Sequence, residues 1–182
     1  VLGCSLNAPW MKDFPTAKTP TVLYDNYLPA NPNMAYVGID NSEGMELAVS
    51  HLKSLGHKDI GYLSGALGSH IMQVRNSAFF HAMRQNGLKA GPAQTGSSYY
   101  ITQCLERHPP RPLDMGITSL ILSHDLLANA VLLQCHLLRL RAHPDISIIR
   151  LVALPLTPFT SPPIITLLPR TPHHSKTVYS RH

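Results

Sequence analysis

The sequence is short of charge, cysteine and aromatic residues, and each shortage excludes something. Charged residues are 14% of the 182 positions and hydrophobic ones 44%, too apolar a balance for a disordered chain. The three cysteines, Cys4, Cys104 and Cys135, form neither an even set nor a C-x-x-C pair. They read as buried thiols of a reducing compartment, not as a disulfide framework or zinc ligands. No apolar run reaches the ~18 residues of a membrane-spanning helix, and the opening VLGCSLNAP lacks the basic flank of a signal peptide. Neither the phosphate loops G-x-x-x-x-G-K-[ST] and G-x-G-x-x-G nor the nucleophile elbow G-x-S-x-G is present. No cofactor is expected, and an enzyme is not the expectation. The 11 histidines include pairs such as His51/His57 and His136/His143, but their spacing does not gather metal ligands.

Acid is missing from the far end of the chain. Past Asp145 there are four Lys/Arg and no Asp or Glu, so most of the formal charge of +5 lies there. The rest is nearly neutral and shows no basic face for nucleic acid. Six prolines between Pro155 and Pro172 make this same end irregular in expectation.

What is present is an alternation of short apolar runs and helical periods, which predicts an α/β fold. Strands are expected over residues 1–6, 21–24, 34–39, 60–63, 117–123 and 146–154. A helix is expected over 41–55, capped by Asn41 or Ser42. Ala48, Leu52 and Leu55 lie on its apolar face and Gly56 stops it. A second helix over 72–85 carries Val74, Ala78 and Ala82 on one stripe, and Asn86-Gly87 closes it. A third runs over 126–140 with Asp125 as its cap. Residues 89–116, broken by Pro109, Pro110 and Pro112, hold no long element. No internal repeat is visible.

The strand at 60–63 leaves through the small-residue loop Ser64-Gly65-Ala66-Leu67-Gly68-Ser69 and enters the helix bearing Arg75. Loops at the carboxyl ends of parallel strands are where open α/β sheets take ligands. Arg75 offers a planar fork of donors suited to paired hydroxyls or a carboxylate, although it could equally be a surface helix arginine. Asp25, at the end of a strand, can accept from a ligand hydroxyl or close an Asx-turn on its own backbone. His124 and Asp125 close the strand at 117–123. The imidazole can bond a hydroxyl, and helix capping accounts for Asp125 more simply than ligand contact.

The run VGIDNSEGMELAVSHLKSLGHKDIGYLSG, followed by Arg75 and Phe79, resembles the effector-binding core of the LacI/GalR transcriptional regulators. ILSHDLLANAV (121–131) and PDISII (144–149) resemble two later segments of that core, in the same order. The resemblance implies a periplasmic-binding-protein-like (type I) fold with parallel sheets flanked by helices. Two lobes enclose a small effector, and the chain crosses between them three times. Lobe closure then changes how paired helix-turn-helix heads sit on operator DNA. It places residues 1–42 at the end of the first lobe and 43–156 in the second. The Pro-rich basic tail, 157–182, would cross back over 161–168 and then be irregular.

By the same resemblance Arg75 is the effector-binding arginine, with Ser69, His124, Asp125 and Asp25 lining the cleft and Ala78 standing where the family usually has Gly. The expected partner is a sugar-like effector. Operator DNA is engaged only by a full-length relative, a homodimer is expected if the core is complete, and no membrane is involved. The expected setting is cytoplasmic. The chain starts without Met in a strand-like segment, so a fragment lacking the DNA-binding head is expected. One landmark departs from the family: its Gly-aromatic-Asp-Asp is here Arg150-Leu151-Val152-Ala153. The first of those acids grips the effector, and no acid follows in this chain. The aromatic that would stack on the ligand, expected within 96–105, has no clear counterpart. A free-standing solute-binding protein and a decayed gene product stand as the other two readings.

Overall fold

The computed structural model describes residues 20–24, 34–65, 67, 69–97, 116–142, 145–151 and 165–166. Strands β1 (Thr21–Tyr24) and β2 (Met34–Val37) pair in parallel as a separate sheet, with Thr21 opposite Met34. Residues 38–40 lead from β2 into helix α1 (Asn41–Ser54). Then come β3 (Ile60–Ser64), helix α2 (His70–Gln85), a 3₁₀ turn (Pro92–Gln94) and β4 (Thr95–Ser97). Last are β5 (Ser119–Leu122), helix α3 (Asp125–Leu137), β6 (Ser147–Arg150) and β7 (Ile165–Thr166). These build one parallel sheet in the order β4-β3-β5-β6-β7.

Period-two alternation sorts the strand residues between the two faces of this sheet. Tyr62, Ile121 and Ile149 meet Met45, Leu52, Phe79 and Met83 of α1 and α2. Leu63, Leu120, Leu122 and Ile148 meet Ala128, Val131 and Cys135 of α3 on the other side. All five residues of β3 are buried, as a central parallel strand requires. Each large side chain taken fully from water contributes about 1.5–3 kcal/mol, so these two layers hold the sheet together. Gly61 makes room for its neighbours: a Cβ there would lie 2.9 Å from both Ile117 Cδ1 and Leu120 Cδ2, so those side chains would have to shift. At the amino ends of the strands His57 ties three segments, with Nδ1 2.9 Å from Thr118 Oγ1 and Nε2 2.9 Å from Ser147 Oγ.

The caps differ from the expectation. Asp40, not Asn41 or Ser42, caps α1: its Oδ1 accepts from Ser42 N at 2.9 Å and Glu43 N at 3.0 Å. Gly56, at φ +91°, stops the helix in the left-handed region that glycine tolerates. Helix α3 ends three residues earlier than expected. It ends at Leu137 because Arg139 turns left-handed at φ 58°, a conformation no glycine or asparagine announced. The cap of α3 is His124, whose Nδ1 accepts from Leu127 N at 3.4 Å, so the carboxylate of Asp125 is turned to another use.

The strands are also shorter than the apolar runs that announced them. The run at 117–123 yields Ser119–Leu122, and that at 146–154 yields Ser147–Arg150, since pairing extends only as far as a neighbour does. Within the Pro-rich end, Ile165 and Thr166 pair with Ile149 and Arg150 as β7. Those two residues lie within 161–168, the segment expected to cross back, and the rest of the tail lies outside the described residues. The strand expected at 1–6, the site candidate Asp25 and Val152 lie outside the described residues.

Candidate functional site

The carboxyl ends of β3, β5 and β6 gather the polar side chains that the core excludes. Arg75 comes from the second turn of α2 and is only 3% exposed. Its Nε–H donates to Asn41 Oδ1 at 2.6 Å and its Nη1–H to the Ser123 carbonyl at 2.6 Å. Such charge-assisted bonds fix the plane of the guanidinium. The Arg75 position predicted from sequence is thus a buried, oriented donor and not a surface helix arginine.

Around it lie hydroxyls. Tyr62 is fully buried, stacked on Phe79 with ring centroids 5.4 Å apart. Burial pushes its phenol up to about 12, while Ser64, Arg75 and Ser123 pull the other way. Ser123 also accepts from Gly65 N at 3.0 Å through its Oγ, which pins the loop after β3 to the end of β5. A Cβ on Gly65 would lie 3.1 Å from His124 Nε2 and 3.2 Å from Met72 Sδ, so glycine lets the loop sit against the imidazole.

Burial lowers the pKa of His124, and Arg75 lowers it further against the opposing pull of Asp125. The ring is therefore neutral at pH 7. Because Nδ1 accepts from the backbone of Leu127, the proton resides on Nε2, on the side of the β3 loop. His124 presents a neutral N–H donor there, the tautomer being set by its own cap.

Asp125 is 7% exposed and paired with Arg150, whose Nη1 stands 3.2 Å from its Oδ1. Arg150, 2% exposed, was absent from the sequence-predicted set. The signal for it was a charged residue ending an apolar strand, which needs a counter-charge to be buried. Ser69 holds the N-cap position of α2 without a side-chain capping bond. The structure thus brings Arg75, His124 and Asp125 to one edge with Ser69 at the start of α2, and adds Asn41, Tyr62, Ser123 and Arg150. Among the described residues no group of three or more His, Cys, Asp or Glu is placed to hold a metal ion. No helix among them is long and apolar enough to cross a membrane.

This architecture, a parallel sheet with helices on both faces and buried polar side chains at its carboxyl edge, has a counterpart among known proteins. Residues 49–177 match the model of the periplasmic binding protein-like domain. The chain belongs to that family. Among its relatives in this family is the HTH-type transcriptional repressor PurR of Aliivibrio salmonicida, 30% identical over 151 residues. That match takes in 81% of this chain and 45% of PurR, so the chain spans about half the length of the curated relatives it matches.

Two solved structures of regulators superpose well on the periplasmic binding protein-like domain seen here. The transcription regulator CcpA of Lactococcus lactis does so with a TM-score of 0.77 at 23% identity, over 91% of this chain and 60% of that one. A sugar-binding transcriptional regulator of the LacI family from Escherichia coli, solved with phosphate, gives 0.74 at 17% identity over the same shares. At those identities the likeness establishes the fold. The resemblance to the effector-binding part of LacI/GalR regulators, carried by the runs at 37–65, 121–131 and 144–149, is borne out by the family model and these relatives together.

Proposed function

We propose that this chain is the effector-sensing part of a LacI/GalR-type transcriptional repressor and that its effector is a small, sugar-like molecule. The observation that carries the reading is the buried Arg75, held in plane by Asn41 and Ser123 beside a neutral His124. A fixed fork of N–H donors next to a neutral imidazole N–H suits a ligand rich in hydroxyl or carbonyl oxygens. Ser69, Arg75, His124 and Asp125 are the proposed lining, with Asp25 contributed from the other lobe. In this reading residues 1–42 belong to the first lobe and 43–156 to the second, and the Pro-rich basic tail 157–182 crosses back over 161–168 before an irregular end.

The relatives' names support regulation over catalysis: PurR is a transcriptional repressor and CcpA a transcription regulator. A cytoplasmic homodimer whose full-length form carries the operator-binding head fits those names. Calorimetry against D-ribose, D-glucose, maltose and hypoxanthine tests the proposal. Binding of at least one is expected, and Arg75→Ala should weaken it by about 1.5–3 kcal/mol, the range for a hydrogen bond to a charged group. Absence of heat from all four sinks the sensor reading. Undiminished binding by a folded Arg75→Ala variant moves the site elsewhere.

A further inference from the structure

Asn41 occupies the place where the chain passes from one sheet to the other. The β1–β2 sheet ends at Val37 and α1 begins at Asn41, so residues 38–40 are the link. A polar residue at a helix start is ordinarily explained as a cap, but Asp40 already serves α1 through Ser42 N and Glu43 N. The amide of Asn41 is engaged otherwise at both ends. Its Oδ1 accepts from Arg75 Nε–H at 2.6 Å, and its Nδ2–H donates to the carbonyl of Ile39, within the link, at 3.3 Å. The two partners fix which way the amide faces, because a guanidinium can only donate and a carbonyl can only accept.

We propose that Asn41 is a positioning residue that couples the Arg75 guanidinium to the link between the two sheets. This rests on the effector reading above. Arg75 is clamped between the end of β5, through Ser123 O, and the link, through Asn41. A ligand seated beside Arg75 tightens or relaxes the bond to Asn41, and the shift passes to Ile39 by the same amide. Coupling needs such a contiguous element whose two arrangements the ligand biases unequally. A short side chain bonded at both ends transmits displacement better than a long flexible one, since little rotamer freedom absorbs it.

Two variants separate coupling from simple support. Asn41→Asp keeps an acceptor for Arg75 but loses the donor to Ile39; Asn41→Ala loses both. Without ligand, the Arg75 Nε–H resonance should be slow to exchange in the parent and in Asn41→Asp, and fast in Asn41→Ala. Equal protection in all three overturns the clasp, whatever the protein binds. With D-ribose, D-glucose, maltose or hypoxanthine at saturation, deuterium uptake at residues 38–40 should slow by on the order of fivefold in the parent, the low end of usual coupling. In Asn41→Asp that slowing should vanish at ligand concentrations that calorimetry shows to saturate the variant. Slowing that survives in Asn41→Asp overturns the proposal. If none of the four compounds binds the parent, the sensor reading fails, and coupling through Asn41 fails with it even if the resonance confirms the clasp.

Discussion

The pair Asp125–Arg150 offers the sharpest energetic test of the site. Their side chains are 8% and 2% exposed and 3.2 Å apart, so neither charge is well solvated. Arg150→Met leaves the Asp125 carboxylate buried without its guanidinium, and Asp125→Ala does the reverse. Breaking a buried pair from one side costs about 3–5 kcal/mol, because the remaining charge keeps its desolvation penalty and loses its partner. At a urea dependence of about 1–3 kcal/mol per molar, each single variant should lower the unfolding midpoint by more than about 1 M. The double variant Asp125→Ala/Arg150→Met removes both charges and fills the gap with an apolar chain of similar length. It should recover most of the loss, since a buried pair exchanged for apolar residues is often neutral or stabilising. Circular dichroism of the four proteins in urea, at matched slopes, gives the coupling between the sites. Single variants that each cost less than about 1 kcal/mol, as exposed pairs do, would refute the reasoning.

Gly61→Ala should destabilise by about 1–3 kcal/mol, as overpacking does, because its Cβ meets Ile117 and Leu120 at 2.9 Å; an unchanged urea midpoint would show that these side chains yield freely. The lowered pKa of His124 means that the unfolded chain takes up the proton first as pH falls. Stability should be complete above the ordinary imidazole pKa and decline below it, the more so because protonation of Nδ1 removes the acceptor for Leu127 N. His124→Asn, which can still cap α3, should flatten that acid limb, and an unaltered profile assigns the limb to another group. Tyr62, raised to about 12, gives the opposite case. Stability should fall as pH rises above the ordinary phenol pKa of about 10, and Tyr62→Phe should abolish this alkaline loss in urea midpoints read from about pH 9 to about pH 11.

Periodicity and punctuation alone determined much of the fold. Of the apolar face expected for α1, Ala48 and Leu52 are buried, joined by Met45 and Val49, because a helix beside a sheet needs one apolar stripe; Leu55, at the C-cap, is 56% exposed instead. Gly56 and Gly87 marked helix ends and take positive φ. The uninterrupted apolar run of β3 announced a strand covered on both faces. The position of Arg75 after the β3 loop was legible for the same local reason: loops at the carboxyl ends of parallel strands are where open α/β sheets take ligands.

Only the tertiary structure decided which polar group meets which. His124 and Asp125 are neighbours in sequence and both suited to capping α3. Arg150, arriving 25 positions after Asp125, takes the carboxylate and leaves the cap to the imidazole. Asp40 likewise takes the cap of α1 and frees Asn41 for Arg75, a contact across 34 positions. Strand pairing followed the same logic. Ile165 and Thr166 joined the sheet because β6 offered an open edge, which no local pattern in a proline-rich segment announces. Local physics sets what each segment prefers to be. Counter-charges, caps and ladder partners are supplied from elsewhere in the chain, and burial makes each one obligatory.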